Sequence, residues 1–177
     1  RRFYMRDGTV GWNPGKLNPN IVMPAGPTDP EVGILYVETP GARGFTQSIA
    51  TFVNFAMHPD TTGGSKFSAD WPGALARVLA DYHGQHHQTL VGNGACGNLN
   101  KYDFFWGWPN KGPGEQNRIG TILGASVFQA YKQLEPVDEG PIRVGSKTVE
   151  LALPEITTDE VQAARKAVAA TKDDHGP

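Results

Sequence analysis

Cysteine is nearly missing from this 177-residue chain: Cys96 stands alone. A single thiol rules out an internal disulfide framework and leaves the redox compartment open. No apolar run approaches the roughly 20 residues a membrane-spanning helix needs. Arg1-Arg2-Phe3-Tyr4 has no apolar stretch behind it, so no signal peptide is read there. Charge is also thin. Net charge is −2 and no dense Lys/Arg stripe occurs, which sets nucleic-acid binding aside. With 38% hydrophobic and 19% charged residues, the composition is that of a globular domain with a real core.

Glycine (22) and proline (14), by contrast, are abundant and imply long, shaped loops. Residues 1–31 read as a loop-rich lead-in, punctuated by Asn13-Pro14-Gly15, Asn18-Pro19-Asn20 and Pro24-Ala25-Gly26-Pro27. An α/β core is expected over 32–153. Its first strands, 32–39 and 47–57, form a hairpin. A helix begins near Asp70, where Ser68 and Asp70 are good cap residues and Pro72 suits the first turn. Its apolar face is Trp71, Leu75, Val78, Leu79 and Tyr82, and Gly84 closes it. A short strand at 89–91 follows, then a helix from about Glu115 to Leu134 with Ile119, Ile122, Leu123, Val127, Ala130 and Leu134 on one face. Residues 141–153 alternate like a strand. Thr157 to Glu160 then forms a capping box that opens a thin-faced peripheral helix and tail over 154–177. The expected class is α/β, a layered mixed sheet with flanking helices.

Five features carry candidate chemistry. His58 ends the longest apolar run, Ser48 to Met57, and opens the loop Pro59-Asp60-Thr61-Thr62-Gly63-Gly64. A strand-end imidazole before a polar loop is either a metal ligand, with zinc the natural ion, or a ring bonded to backbone; local text favours the second. The Gly92–Asn100 loop, with Gly97, Asn98 and Asn100, can face a substrate carbonyl or simply connect strand to helix. It lacks the Lys-Ser/Thr ending of a phosphate loop. His83, His86 and His87 read as a solvated helix end. Cys96 has no base nearby in sequence and reads as an inert small residue. The aromatic stretch Phe104-Phe105-Trp106-Gly107-Trp108 either stacks on a sugar or acyl chain or covers a core edge.

In order along the chain stand Arg1-Arg2-Phe3, Asp7-Gly8-Thr9-Val10, Asn13-Pro14-Gly15, Pro24-Ala25-Gly26-Pro27 and Asp29-Pro30-Glu31-Val32-Gly33. Asn54-Phe55-Ala56-Met57-His58, Ser68-Ala69-Asp70 and Gly94-Ala95-Cys96-Gly97-Asn98 follow. This ordered series resembles the N-terminal catalytic domain of the neutral/alkaline non-lysosomal ceramidase family, nearest to its bacterial ceramidase-like members. The resemblance implies a zinc amidohydrolase whose metal is held by two histidines, a glutamate and a tyrosine. It places His58 at the second histidine, and the other ligands upstream of residue 1 and downstream of residue 177. The chain is accordingly read as an internal fragment, inactive by itself and completed by flanking portions of the same protein. Ceramide-cleaving members carry Gly-Asp-Val-Ser-Pro-Asn where this chain has Gly97-Asn98-Leu99-Asn100. Asn98 thus replaces the aspartate and Asn100 the serine. Asparagine donates a hydrogen bond but cannot act as a hydroxyl nucleophile. The expected function is zinc-dependent hydrolysis of an amide, a small-molecule or lipid amide such as an N-acylsphingosine. Asn98 and Asn100 flank the reacting carbonyl, Gly97 lines the substrate, and Asp60 or Asp70 orients ligands. The alternatives are a metal-dependent esterase and a non-catalytic binding module on the same fold. Extracytoplasmic placement follows from the resemblance alone.

Overall fold

The computed structural model describes residues 1–99, 101–108, 111–137 and 140–171. They fall into two compact units, 1–136 and 137–177. The first holds two three-stranded sheets and two helices, the mixed α/β content expected.

The lead-in is not merely loops. β1 (Arg2–Met5), β2 (Val10–Trp12) and β3 (Ile21–Pro24) form an antiparallel sheet in the order β2-β1-β3. Its strands are three or four residues long, too short to show alternation between turns. Phe3 is buried beneath it, edge-on to Phe104 with ring centroids 4.7 Å apart.

The main sheet has the order β4-β5-β6, from β4 (Gly33–Pro40), β5 (Thr46–Phe55) and β6 (Gln88–Asn93). β4 and β5 make the expected antiparallel hairpin, with a bulge between Val37 and Glu38. β5 and β6 run parallel, joined by α1 (Asp70–His83) as the crossover helix. The parallel register pairs Phe55 with Asn93, so both strands end at the same edge of the sheet.

One face of this sheet is covered by α1 and α2 (Pro113–Ala130) around Val53, Trp71, Leu75, Leu79, Ile119, Leu123 and Val127. On α1 the face is narrower than the periodicity indicates, since Tyr82 is exposed; on α2 the same holds for Ile122. α2 ends at Ala130 and continues as a 3₁₀ turn over Tyr131–Gln133, which tightens its last residues. The helices approach closely because α2 presents glycine. A Cβ on Gly120 would lie 2.5 Å from Ala74 Cβ, and one on Gly124 2.5 Å from Val78 Cγ1. The opposite face of the sheet presents Leu35, Val37, Phe52 and Leu90, all largely exposed.

In the second unit, α3 (Thr158–Ala170) starts at the expected capping box. Glu160 N–H donates to Thr157 Oγ1, and Thr157 N–H donates back to Glu160 Oε2. The strand expected at 141–153 does not form. Ile142, Val144, Val149, Leu151 and Leu153 alternate but are exposed and have no ladder partner. Alternation marks a segment that suits a sheet; the neighbouring strand must still be supplied. Among the described residues no helix is long and apolar enough to cross a membrane.

Candidate active site

The C-terminal ends of β5 and β6 meet at one edge, where open α/β sheets place their ligand crevices. His58 lies three residues past β5, half-buried. Its carbonyl accepts from Trp71 Nε1 at 3.3 Å, which ties the strand end to the first turn of α1. The loop after β6 is drawn against it by Gly94. The Gly94 N–H donates to Phe55 O at 3.1 Å, and a Cβ there would sit 3.2–3.3 Å from Ala56. Gly92 similarly accommodates the Phe52 ring, while Gly97 faces open space. Gly92 and Gly94 therefore serve contact with β5.

This closeness brings Cys96 Sγ within 3.6 Å of His58 Nδ1. Sequence reading gave Cys96 no base, because its partner lies 38 residues away. The detectable signal was topological: a histidine just past one strand and a cysteine just past its parallel neighbour share an edge.

The two aspartates proposed as ligand-orienting groups hold other partners. Asp70 is buried at the head of α1 with φ +49°. Its Oδ1 accepts from Thr61 Oγ1 at 2.7 Å and Trp71 N–H at 2.8 Å, and its Oδ2 from Thr62 N–H at 2.8 Å. It thus folds the loop that starts at His58. Asp60 is exposed and pairs at 2.7 Å with Lys101, whose side chain is only 3% exposed. Lys101 also donates to the Asp60 carbonyl and lies 4.5 Å over the Tyr102 ring. Gly112 N–H to Thr61 O and Thr62 Oγ1 to Gln116 Oε1, both 2.7 Å, fasten the same loop to the start of α2. Gly97 and Asn98 form an exposed turn, closed by Leu99 N–H donating to Cys96 O at 2.9 Å. Asn100 lies outside the described residues.

Imidazole nitrogen and sulfur are donors that suit zinc. A tetrahedral zinc with sulfur at about 2.3 Å and nitrogen at about 2.0–2.1 Å separates those donors by about 3.5–3.6 Å. The observed 3.6 Å matches that edge. Among the described residues, no three or more His, Cys, Asp or Glu side chains converge on a common point, so the chain offers a pair of donors there.

The aromatic loop divides between the two roles weighed for it. Phe104 is buried against Phe3, and its carbonyl accepts from Leu17 N–H at 2.8 Å, which is core cover. Trp106 and Trp108 are exposed and stacked, 5.9 Å apart at 16°. Trp108, Tyr102, Phe104, Asn13, Lys16 and Lys111 line a groove of about 390 Å³.

Of the 83–87 group, His86 is exposed in a turn, as expected, but His83 and His87 are not solvated. His87 is buried and its Nδ1 lies 2.7 Å from Ser48 Oγ. His83 Nε2 lies 2.9 Å from Tyr131 Oη, which is 3.0 Å from Thr51 Oγ1. The two rings stack, 4.4 Å apart at 24°. Burial, then the charge of His86, pushes the His83 pKa down; burial, then His83 and His86, does the same to His87. Desolvation likewise raises the Tyr131 phenol.

Comparison of the chain with family models, with curated proteins and with solved structures finds no match.

Proposed function

We propose that this chain belongs to a zinc-dependent, ceramidase-like amidohydrolase, with His58 as a metal ligand at the shared end of β5 and β6. The observation that carries the reading is the setting of His58. It stands half-buried past a core strand, gripped through its carbonyl by Trp71, in a loop fixed by Asp70, Lys101 and Gln116. Backbone held this firmly leaves only the side-chain torsions of His58 to be fixed on taking up a metal. Zinc, when bound, supplies Lewis acidity to a scissile carbonyl.

The other residues of the edge position and polarise. Lys101 neutralises Asp60 beside His58, and the exposed Gly97–Asn98 turn is available to line the substrate. Asn98 and Asn100 take the place of a hydrogen-bond donor toward a developing oxyanion. Neither can serve as a nucleophile, so the attacking group in this reading is water. An amide of small-molecule or lipid type is the proposed substrate, and placement outside the cytoplasm belongs to the same reading.

The groove beside Trp108 favours a second reading, a binding module that holds an apolar or sugar moiety without chemistry. Profiling the full-length protein on N-acyl amides and matching esters, with and without chelator, separates the readings. The expected result is amide cleavage abolished by chelator and restored by zinc. Hydrolysis indifferent to chelator, or ligand binding with no turnover, contradicts the amidohydrolase.

A further inference from the structure

The groove beside Trp108 carries charge of one sign, which narrows the ligand it suits. We propose that it binds an anionic sugar, a pyranose bearing a carboxylate, which stacks on Trp108 and Tyr102 and pairs with Lys16 and Lys111. The proposal rests on the reading of this groove as a binding surface and needs no metal at His58.

Three observations carry it. First, the groove is held in shape by its own bonds. Leu17 N–H donates to Phe104 O at 2.8 Å, Lys16 donates to the Trp108 carbonyl, and Phe104 is buried edge-on to Phe3. These ties fasten the loop after β2 to the aromatic loop. The groove of about 390 Å³ falls in the range of small-ligand sites, roughly 300–1,000 Å³. Second, the exposed Trp108 indole is braced on Trp106, whose ring lies 5.7 Å from the Arg118 guanidinium. A flat, fixed indole suits the C–H face of a sugar ring.

Third, the charged side chains lining the groove are Lys16 and Lys111, and no carboxylate is among its described lining residues. An ammonium has three donors, so Lys16 keeps two after bonding the Trp108 carbonyl. The neighbouring charges do not offset the pair. Asp103 Oδ1 accepts from Phe105 N–H at 2.9 Å, while Lys101, 4.5 Å over the Tyr102 ring, is paired with Asp60. The mixture of rings with Asn13, Lys16 and Lys111 also selects a sugar over an acyl chain. A methylene chain offers those polar groups nothing, whereas a pyranose has apolar C–H faces and a hydroxylated edge.

The test is calorimetric titration of metal-free full-length protein with trigalacturonate, with maltotriose and octanoate as controls. Saturable trigalacturonate binding is expected, roughly tenfold or more tighter than maltotriose and not displaced by octanoate. Lys111→Gln, at an exposed position, should weaken it about fivefold and flatten its salt dependence. Trp108→Ala should weaken it roughly tenfold. The ligand comparison uses wild-type protein alone and so stands whether or not a variant folds. No saturable trigalacturonate binding, equal binding of maltotriose, displacement by octanoate, or binding indifferent to Lys111→Gln each overturns the proposal. Equal maltotriose binding would leave the groove a sugar site and remove its selectivity for the anion. Chelator-sensitive amide cleavage without trigalacturonate binding would remove this proposal and leave the hydrolase reading intact.

Discussion

The two ends of the β4-β5-β6 sheet both carry histidine, and they treat it in opposite ways. At the end where β5 and β6 finish, His58 meets a sulfur on a neighbouring loop, half in solvent. At the other end, His83 and His87 stack on each other, with His83 Nε2 against Tyr131 and His87 Nδ1 against Ser48. The proposed metal therefore sits at His58 and not in the richer histidine cluster, where one nitrogen of each stacked ring already meets a hydroxyl. The difference lies in what surrounds each ring.

Removing one histidine from each end breaks the comparison most sharply. His58→Ala in the full-length protein should reduce amide hydrolysis roughly 100-fold or more, since lost outer-shell support alone costs 10–100-fold. His83→Ala should leave turnover within about threefold and act on stability instead. Steady-state kinetics on folded variants reads both.

The next effect belongs to the loop end's support. Asp70→Ala strips partners from Thr61 Oγ1, Thr62 N–H and Trp71 N–H around a buried site. A loss of about 3 kcal/mol is expected in denaturant unfolding. It should weaken metal binding too, because the loop starting at His58 loses its tether.

Much of this frame could be read in the sequence, and the failures share a cause. The β4–β5 hairpin, α1, β6, α2 and the α3 capping box are signalled locally, by alternation, helical spacing and cap residues within a few positions. β1, β2 and β3 were hidden because strands of three or four residues between turns carry no period. Residues 141–153 had the period but lack a ladder. The Cys96–His58 contact needs the parallel register of β5 and β6, and the burial of His87 needs Ser48 across the sheet. All are long-range pairings that no local pattern encodes. The place of His58 past a core strand was legible, while the Asp60 and Asp70 partners were not, because Lys101 and Thr61 claim them only in the folded chain.

Smaller effects sharpen the far end. Tyr131→Phe removes the hydroxyl between His83 and Thr51 and should cost about 1 kcal/mol with no change in metal binding. The stacked pair should also make the fold sensitive to acid. His83 and His87 titrate below the ordinary 6.5 in the folded chain, so the unfolded chain takes up their protons first. Their contribution is complete above pH 6.5 and is lost as pH falls through the depressed folded values. Tyr36, Tyr82, Tyr131 and His86 are the titratable groups beside the rings, and Arg77 and Asp81, of opposite charge, line the pocket next to His87. Melting temperature across pH 7.5 to 5 should fall less in His87→Gln than in the wild type.

Zinc binding to the metal-free full-length protein by titration calorimetry bears most directly on the division between the two ends. One zinc per protein is expected for the wild type and for a His83→Ala, His87→Gln double variant, with binding lost or severely weakened in His58→Ala. Equal zinc binding by His58→Ala, or its loss in the double variant alone, would contradict the assignment of the metal to the β5–β6 edge.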